Sequence, residues 1–161
     1  MTNIRISEAS PLSLPALNRL FVNAVHNHFQ YFPDHVRQRV IRDHSLWRLA
    51  LAAADPRRVV LTAKQDHRII GYAIGAKPTT GPAQLYWLYV EPDHRGSNIG
   101  LSLLSRMLKH LGAKGATDVS IATHDHRRYY ERQGFKWVNN TIIDGVKMDI
   151  LTFKVKASSD T

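Results

Sequence analysis

The chain has 161 residues, 43% of them apolar and 22% charged, which is enough to bury one sizeable core and too little for two. It contains no cysteine, so disulfide frameworks, thiolate metal sites and cysteine nucleophiles are excluded. Lys and Arg number 22 against 13 Asp and Glu, a formal charge of +9 that favours an anionic partner such as nucleic acid, a phosphorylated cofactor or an acidic surface.

The run "NIRISEA" alternates Ile4 and Ile6 against polar neighbours and predicts a short first strand. Ser13 stands at an N-cap position before Leu14, Leu17, Phe21, Ala24, Val25 and His28, a single helical stripe. Pro33 and Asp34 restart the pattern. Val36, Val40, Ile41, Trp47 and Leu51 then predict one second helix that Pro56 ends. After it the period changes from 3.6 to 2. "RVVLTAKQ" and "RIIGYAIGAK" form a hairpin turned at Asp66 and His67, and "AQLYWLYV" supplies a third β run. The stripe Ile99, Leu103, Leu104, Met107, Leu108 and Leu111 predicts a helix, followed by the strand "TDVSIAT" and a short helix "HRRYYERQ". A last hairpin turns at Asp144 and Gly145.

This order predicts an α/β fold in one domain over residues 1–161, with a mixed, mostly antiparallel sheet of six to seven strands flanked by about four helices. Residues 84 to 122 should form a β-helix-β crossover between parallel neighbours. No stretch of about 18 apolar residues occurs, and the N-terminus lacks a basic region followed by an apolar one. A soluble, cytoplasmic protein without a membrane partner is expected.

The turn "RGSNIG" joins a strand to a helix through two glycines and two small polar residues. The first N–H groups of a helix have no intrahelical partner and carry the positive end of its dipole. Such a turn suits a phosphate, with Arg95 adding a charge-assisted contact. It is not a P-loop, because Gly100 is followed by Leu101 and Ser102, and it lacks the GxGxxG frame of a dinucleotide site.

"LYVEPDHRGSNIGLSLL" resembles the acyl-CoA motif of the GCN5-related N-acetyltransferase (GNAT) superfamily, and "YYERQGF" resembles its downstream Tyr-Glu-x-x-Gly-Phe motif. The two motifs and the element order cover essentially the whole chain, with the motif region at 84–135 and the closing hairpin at 135–156. Two positions depart from the family pattern. Asn98 stands where a middle glycine is usual, and Thr123 where many members carry an asparagine.

The resemblance implies an acetyl-CoA-dependent N-acetyltransferase that acts by direct transfer to a primary amine of a small molecule or protein. It assigns the cofactor to Leu88, Tyr89, Val90, Arg95, Gly96, Ser97, Asn98, Ile99, Gly100 and Tyr130. Leu88 and Val90 pair with the pantetheine arm, and the loop amides receive the pyrophosphate. An N–H near Val90 polarises the thioester carbonyl. Tyr130 is the expected acid for the departing thiolate, and His124 the expected base. Gln84 stands where histone-modifying members carry glutamate; Asp125, Tyr86 and Glu91 are weaker candidates for the base. His28, Phe29, Tyr31 and Tyr86 are the expected acceptor-binding residues, and Tyr129 the expected packing residue. In the family the closing hairpin often serves as an interface, which admits a homodimer.

Two other readings compete. A nucleic-acid module fits the charge, but the chain has no recognition-helix, zinc-finger or RNP signature, so nucleic acid is not the favoured partner. A non-catalytic acyl-CoA sensor fits Asn98 and Thr123, whereas Tyr130 argues for catalysis. "HNH" and "HDH" lack the further ligands that a metal site needs, and no metal is expected.

Overall fold

The alternating runs become seven strands of one sheet in a computed structural model, which describes residues 3–156. They are β1 (Ile4–Glu8), β2 (Arg58–Gln65), β3 (Arg68–Ala76), β4 (Ala83–Val90), β5 (Asp118–Thr123), β6 (Lys136–Ile143) and β7 (Val146–Lys154). Their order across the sheet is β1-β2-β3-β4-β5-β7-β6. Every neighbouring pair is antiparallel except β4 and β5, which the intervening helix makes parallel.

Among the described residues five α-helices flank it: α1 (Leu14–His28), α2 (Asp34–Asp43), α3 (Leu46–Ala54), α4 (Ile99–Ala113) and α5 (Arg127–Arg132). The amphipathic stripe of α4 buries Ile99, Leu103, Leu104, Met107 and Leu111 against one face of β2, β3 and β4. Each such side chain contributes about 1.5–3 kcal/mol. Gly75 lets α4 descend this far, since a Cβ there would lie 2.9 Å from both the Gln84 carbonyl and Met107 Sδ. On the opposite face Leu17, Leu20, Phe21, Ala24 and Val25 of α1 pack with Leu49 of α3 over Val60, Tyr72, Ile74 and Tyr89.

The hairpin turns match the sequence: Asp66 and His67 both have positive φ, 47° and 70°, and Asp144 and Gly145 follow at 52° and 79°. His67 carries a side chain in a region that costs most residues about 1–2 kcal/mol. His67→Gly is therefore expected to stabilise the fold by about 0.5–1 kcal/mol, read as a rise of roughly 2 °C in Tm.

One expectation holds in part and one needs correction. Ser13 occupies the N-cap position of α1 but makes no side-chain cap bond; its hydroxyl instead accepts the Ser10 N–H at 3.1 Å, inside a single 3-10 turn. The expected single second helix is two, broken at His44 and Ser45. The His44 ring stacks on Phe21 at 3.9 Å and meets Trp87 edge-on, while its Nδ1–H donates to the Val40 carbonyl at 2.7 Å. Asn18 donates to the His44 carbonyl at 2.9 Å. An imidazole with two faces and a donor satisfies this corner as an apolar residue could not.

Burial holds the His44 pKa below its ordinary value, against the Val40 hydrogen bond that raises it. The unfolded chain then takes up this proton first as pH falls below about 6.5, so stability drops with pH through that window. Melting between pH 7.5 and 5 should show up to about 1.4 kcal/mol lost per pH unit from this group, a component that His44→Gln removes.

Candidate active site

The site begins with one extra residue in β4. Ile74 pairs with Trp87 but Gly75 with Leu85, so Tyr86 is a β-bulge. The bulge inverts the alternation: Leu85 lies in the core under α4, while Trp87 and Tyr89 turn to the α1 face. Beyond it β4 leaves β5. Pairing survives only between Ala83–Leu85 and Val119–Ile121, while Ala122 and Thr123 pair with β7 alone.

This opening exposes a defined edge. Glu91 donates its N–H to the Ile70 carbonyl at 2.9 Å, and in an antiparallel ladder alternate residues face the same neighbour. Tyr89 and Trp87 thus spend their main chain on β3, and Leu88 and Val90 direct theirs into the gap towards β5. The Val90 carbonyl is already taken by Arg95 Nε at 2.9 Å.

At the mouth of the gap lies the loop before α4. Gly96 and Asn98 hold φ values of 81° and 61°, and open space surrounds the position of a Gly96 Cβ. Asparagine is among the few side-chain-bearing residues that adopt this region readily, which is how Asn98 keeps the turn without a glycine. The first helical bond runs from the Ser102 N–H to the Asn98 carbonyl at 2.9 Å. Among the described residues no acceptor engages the N–H groups from Gly96 to Leu101. The Ser97 hydroxyl turns away, donating to the His94 carbonyl at 2.6 Å. These amides at the positive end of α4 fit a pyrophosphate. Arg95, expected at the phosphate, has its Nε committed to β4 and its guanidinium 5.7 Å from the Tyr89 ring centroid, so it braces the loop against the strand.

Tyr130 of α5 is buried on the other side of the gap, packed edge-on against Phe135 at 5.5 Å and Tyr129 at 5.1 Å. Burial pushes its phenol above the ordinary range, with smaller contributions from Tyr129 and Tyr31. It therefore keeps its proton at neutral pH, as an acid must. Tyr129 packs against the core, as expected, and its hydroxyl comes within 3.5 Å of the Gly100 Cβ position, over the first turn of α4.

His124 directly follows β5, exposed, with its ring stacked on Tyr31 at 4.5 Å. Its Nδ1 lies 3.2 Å from the Lys147 carbonyl, a contact that places the proton on Nδ1 and leaves the Nε2 lone pair free. Thr123, buried, accepts the His126 N–H at 3.2 Å and so starts α5. Glu91 is held by Arg68 at 2.8 Å, with His94 Nδ1 3.4 Å away, and His126 Nε2 lies 3.2 Å from Asp125. Gln84 stays in the paired part of β4, opposite Ser120.

Of the expected acceptor residues, Phe29 meets Trp87 at 5.5 Å and Tyr89 at 6.4 Å, His28 meets Tyr89 at 6.0 Å, and Tyr31 meets His124. Tyr86 stands apart, half-exposed on the bulge. Tyr89, expected on the cofactor, packs with these aromatics, and its main chain is spent on β3. Beneath them Tyr72 is fully buried with an unpartnered hydroxyl, stacked on Tyr89 at 5.5 Å. Among the described residues there is no cluster of three or more His, Asp or Glu able to hold a metal, and no helix long and apolar enough to cross a membrane.

A parallel strand pair opened by a bulge, with a bare helix N-terminus at its mouth and a buried phenol at its side, is set in a mixed α/β sheet of the GNAT acetyltransferase type. The chain belongs to the GNAT acetyltransferase family, whose model matches residues 22–135. An uncharacterized N-acetyltransferase of Mycobacterium tuberculosis is 32% identical over 113 residues, which are 68% of this chain and 72% of the relative. Among solved structures, the PaiA N-acetyltransferase of Thermoplasma acidophilum in complex with coenzyme A superposes with a TM-score of 0.79 at 22% identity, covering 94% of this chain and 99% of its own. The yncA protein of Salmonella typhimurium, solved with its cofactor acetyl-CoA, gives a TM-score of 0.70 at 16% identity over 99% and 98% of the two chains.

Proposed function

We propose that this protein transfers the acetyl group of acetyl-CoA directly to a primary amine, of a small molecule or a protein. The observation that carries the reading is the opening of β4 from β5, flanked by the free loop amides on one side and Tyr130 on the other. Bound acetyl-CoA would supply an activated acetyl thioester. The N–H groups from Gly96 to Leu101 would hold its pyrophosphate, and the Leu88 and Val90 main-chain groups its pantetheine arm. A Leu88 or Val90 N–H pointing into the gap would polarise the thioester carbonyl.

Two protons must move. Tyr130 would donate its phenolic proton to the departing thiolate, whose ordinary pKa is ~8.5. His124 Nε2 would accept the ammonium proton, directly or through water. The acceptor would enter between His28, Phe29 and Tyr31, where aromatic faces suit a flat or apolar amine better than a polycation. Residues 1–161 would act as one domain.

Calorimetric titration with acetyl-CoA and with S-acetylpantetheine, which lacks the pyrophosphate and the nucleotide, tests the first half. Saturable acetyl-CoA binding that weakens strongly in S-acetylpantetheine supports it, and no binding at high micromolar acetyl-CoA overturns it. Thiol release over an amine panel tests the second half. Cofactor binding without release from any amine would make the protein an acyl-CoA sensor.

A further inference from the structure

A cavity of about 220 Å³ lies against α3, beside the corner where α2 ends, and shares no lining residue with the opening between β4 and β5. Its floor is apolar: Leu49 and Ala52 from α3 and Ile74 from β3, all buried. Sites for drug-sized ligands measure roughly 300–1,000 Å³, so this space suits a smaller molecule.

His44 lines the cavity and has one atom to spare. Phe21 covers a face of its ring, Trp87 meets it edge-on, and its Nδ1–H is given to the Val40 carbonyl. The Nε2 edge has no partner among the described residues and is the edge left to the cavity. Burial first, with the Arg58 charge adding to it, holds the His44 pKa below its ordinary value, so Nε2 keeps its lone pair at neutral pH. It offers an acceptor and no donor.

Two arginines and two aspartates form the rim. Arg48 pairs with Asp43 at 3.3 Å. Asp55 is engaged by Arg57, which stands outside the cavity, through Nε and Nη2 at 3.1 Å each and through the Arg57 N–H at 2.9 Å. Arg58 is left with a 4.0 Å approach to that same carboxylate and, among the described residues, no side-chain hydrogen bond. Its guanidinium is the uncompensated charge here, and a guanidinium fits a carboxylate through two parallel N–H···O bonds.

We propose that this cavity is a second ligand site, taking a small carboxylate that has a branched apolar body and a hydroxyl beside the carboxylate. The carboxylate meets Arg58, the hydroxyl donates to His44 Nε2, and the body lies on Leu49, Ala52 and Ile74. Trp87, between His44 and Phe29, sets the site behind the aromatic acceptor wall. The site stands independently of acetyl transfer.

Nuclear magnetic resonance titration of the full chain tests it, with 4-methylpentanoate and 2-hydroxy-4-methylpentanoate as probes. Amides between Asp43 and Asp55 should shift saturably, with Kd about millimolar for so small a ligand. The hydroxy acid should bind roughly three- to tenfold more tightly, and it alone should move the His44 Nε2 resonance strongly. Replacing the acid by 4-methylpentanamide, which keeps the shape and loses the charge, should weaken binding at least about tenfold. Arg58→Gln should do the same, and with that side chain 47% exposed the fold survives the change. Arg68→Gln removes an equal charge at the other end of β3 and should alter binding less than about twofold. No saturable shift by about 20 mM acid, or equal binding of acid and amide, overturns the site. Shifts confined to the amides from Gly96 to Leu101 would put the acid on the cofactor loop and overturn it too. Equal affinity of the two acids overturns the part given to His44 Nε2.

Discussion

Tyr130→Phe is expected to lower kcat by roughly 10²–10³-fold while leaving acetyl-CoA affinity unchanged, since a positioned general acid contributes on that order. The substitution removes one oxygen and keeps the ring that packs on Phe135 and Tyr129. Loss of turnover through misfolding is thereby separated from loss of the proton. Because burial holds the Tyr130 phenol above its ordinary range, its ionisation should produce no alkaline loss of wild-type kcat below about pH 10. A kcat within threefold of wild type, measured with an amine leaving chemistry rate-limiting, would remove Tyr130 from the mechanism.

The second large effect concerns the cofactor loop. Gly100 lies in the first turn of α4, where a missing N–H costs the helix nothing and proline is tolerated. Gly100→Pro should therefore spare the fold but delete one donor to the pyrophosphate. Hydrogen bonds to charged groups are worth about 1.5–3 kcal/mol, so acetyl-CoA binding should weaken by roughly 10- to 150-fold. Gly100→Ala keeps the N–H and adds a Cβ at 3.5 Å from the Tyr129 hydroxyl, an ordinary contact, so its affinity should stay within about threefold of wild type. Equal weakening in both variants would show that space over this turn, rather than the amide, governs binding.

Local chemistry made much of this protein legible. The positive-φ turns at Asp66–His67 and Asp144–Gly145, the stripe of α4 and the change of period after Pro56 each depend on residues within a few positions of one another. The loop from Arg95 to Gly100 is equally local, because backbone freedom and unpaired helix-start amides follow from residue type and position.

What failed or stayed hidden depends on distant partners. The break between α2 and α3 has no glycine or proline to announce it. It exists because His44 finds Phe21 and Trp87, residues from α1 and β4. The place of Arg95 beside the glycines suggested a phosphate contact, and the sequence did not show that its Nε also donates to the Val90 carbonyl. The bulge at Tyr86, which turns Trp87 and Tyr89 to the face opposite Leu85, has no mark in the strand's own pattern.

By itself the sequence determined the order of the strands, the stripe of α4 and the bare turn before it, since each depends on residues close together in the chain. Only the tertiary structure decided which main-chain groups are free, that β4 parts from β5 after Leu85, and that Phe29 meets β4 while Tyr31 meets His124. These are properties of strand register and of contacts between residues up to about a hundred positions apart. Register is set when a bulge is accommodated between two packed faces, an event that the pattern of a single strand does not encode.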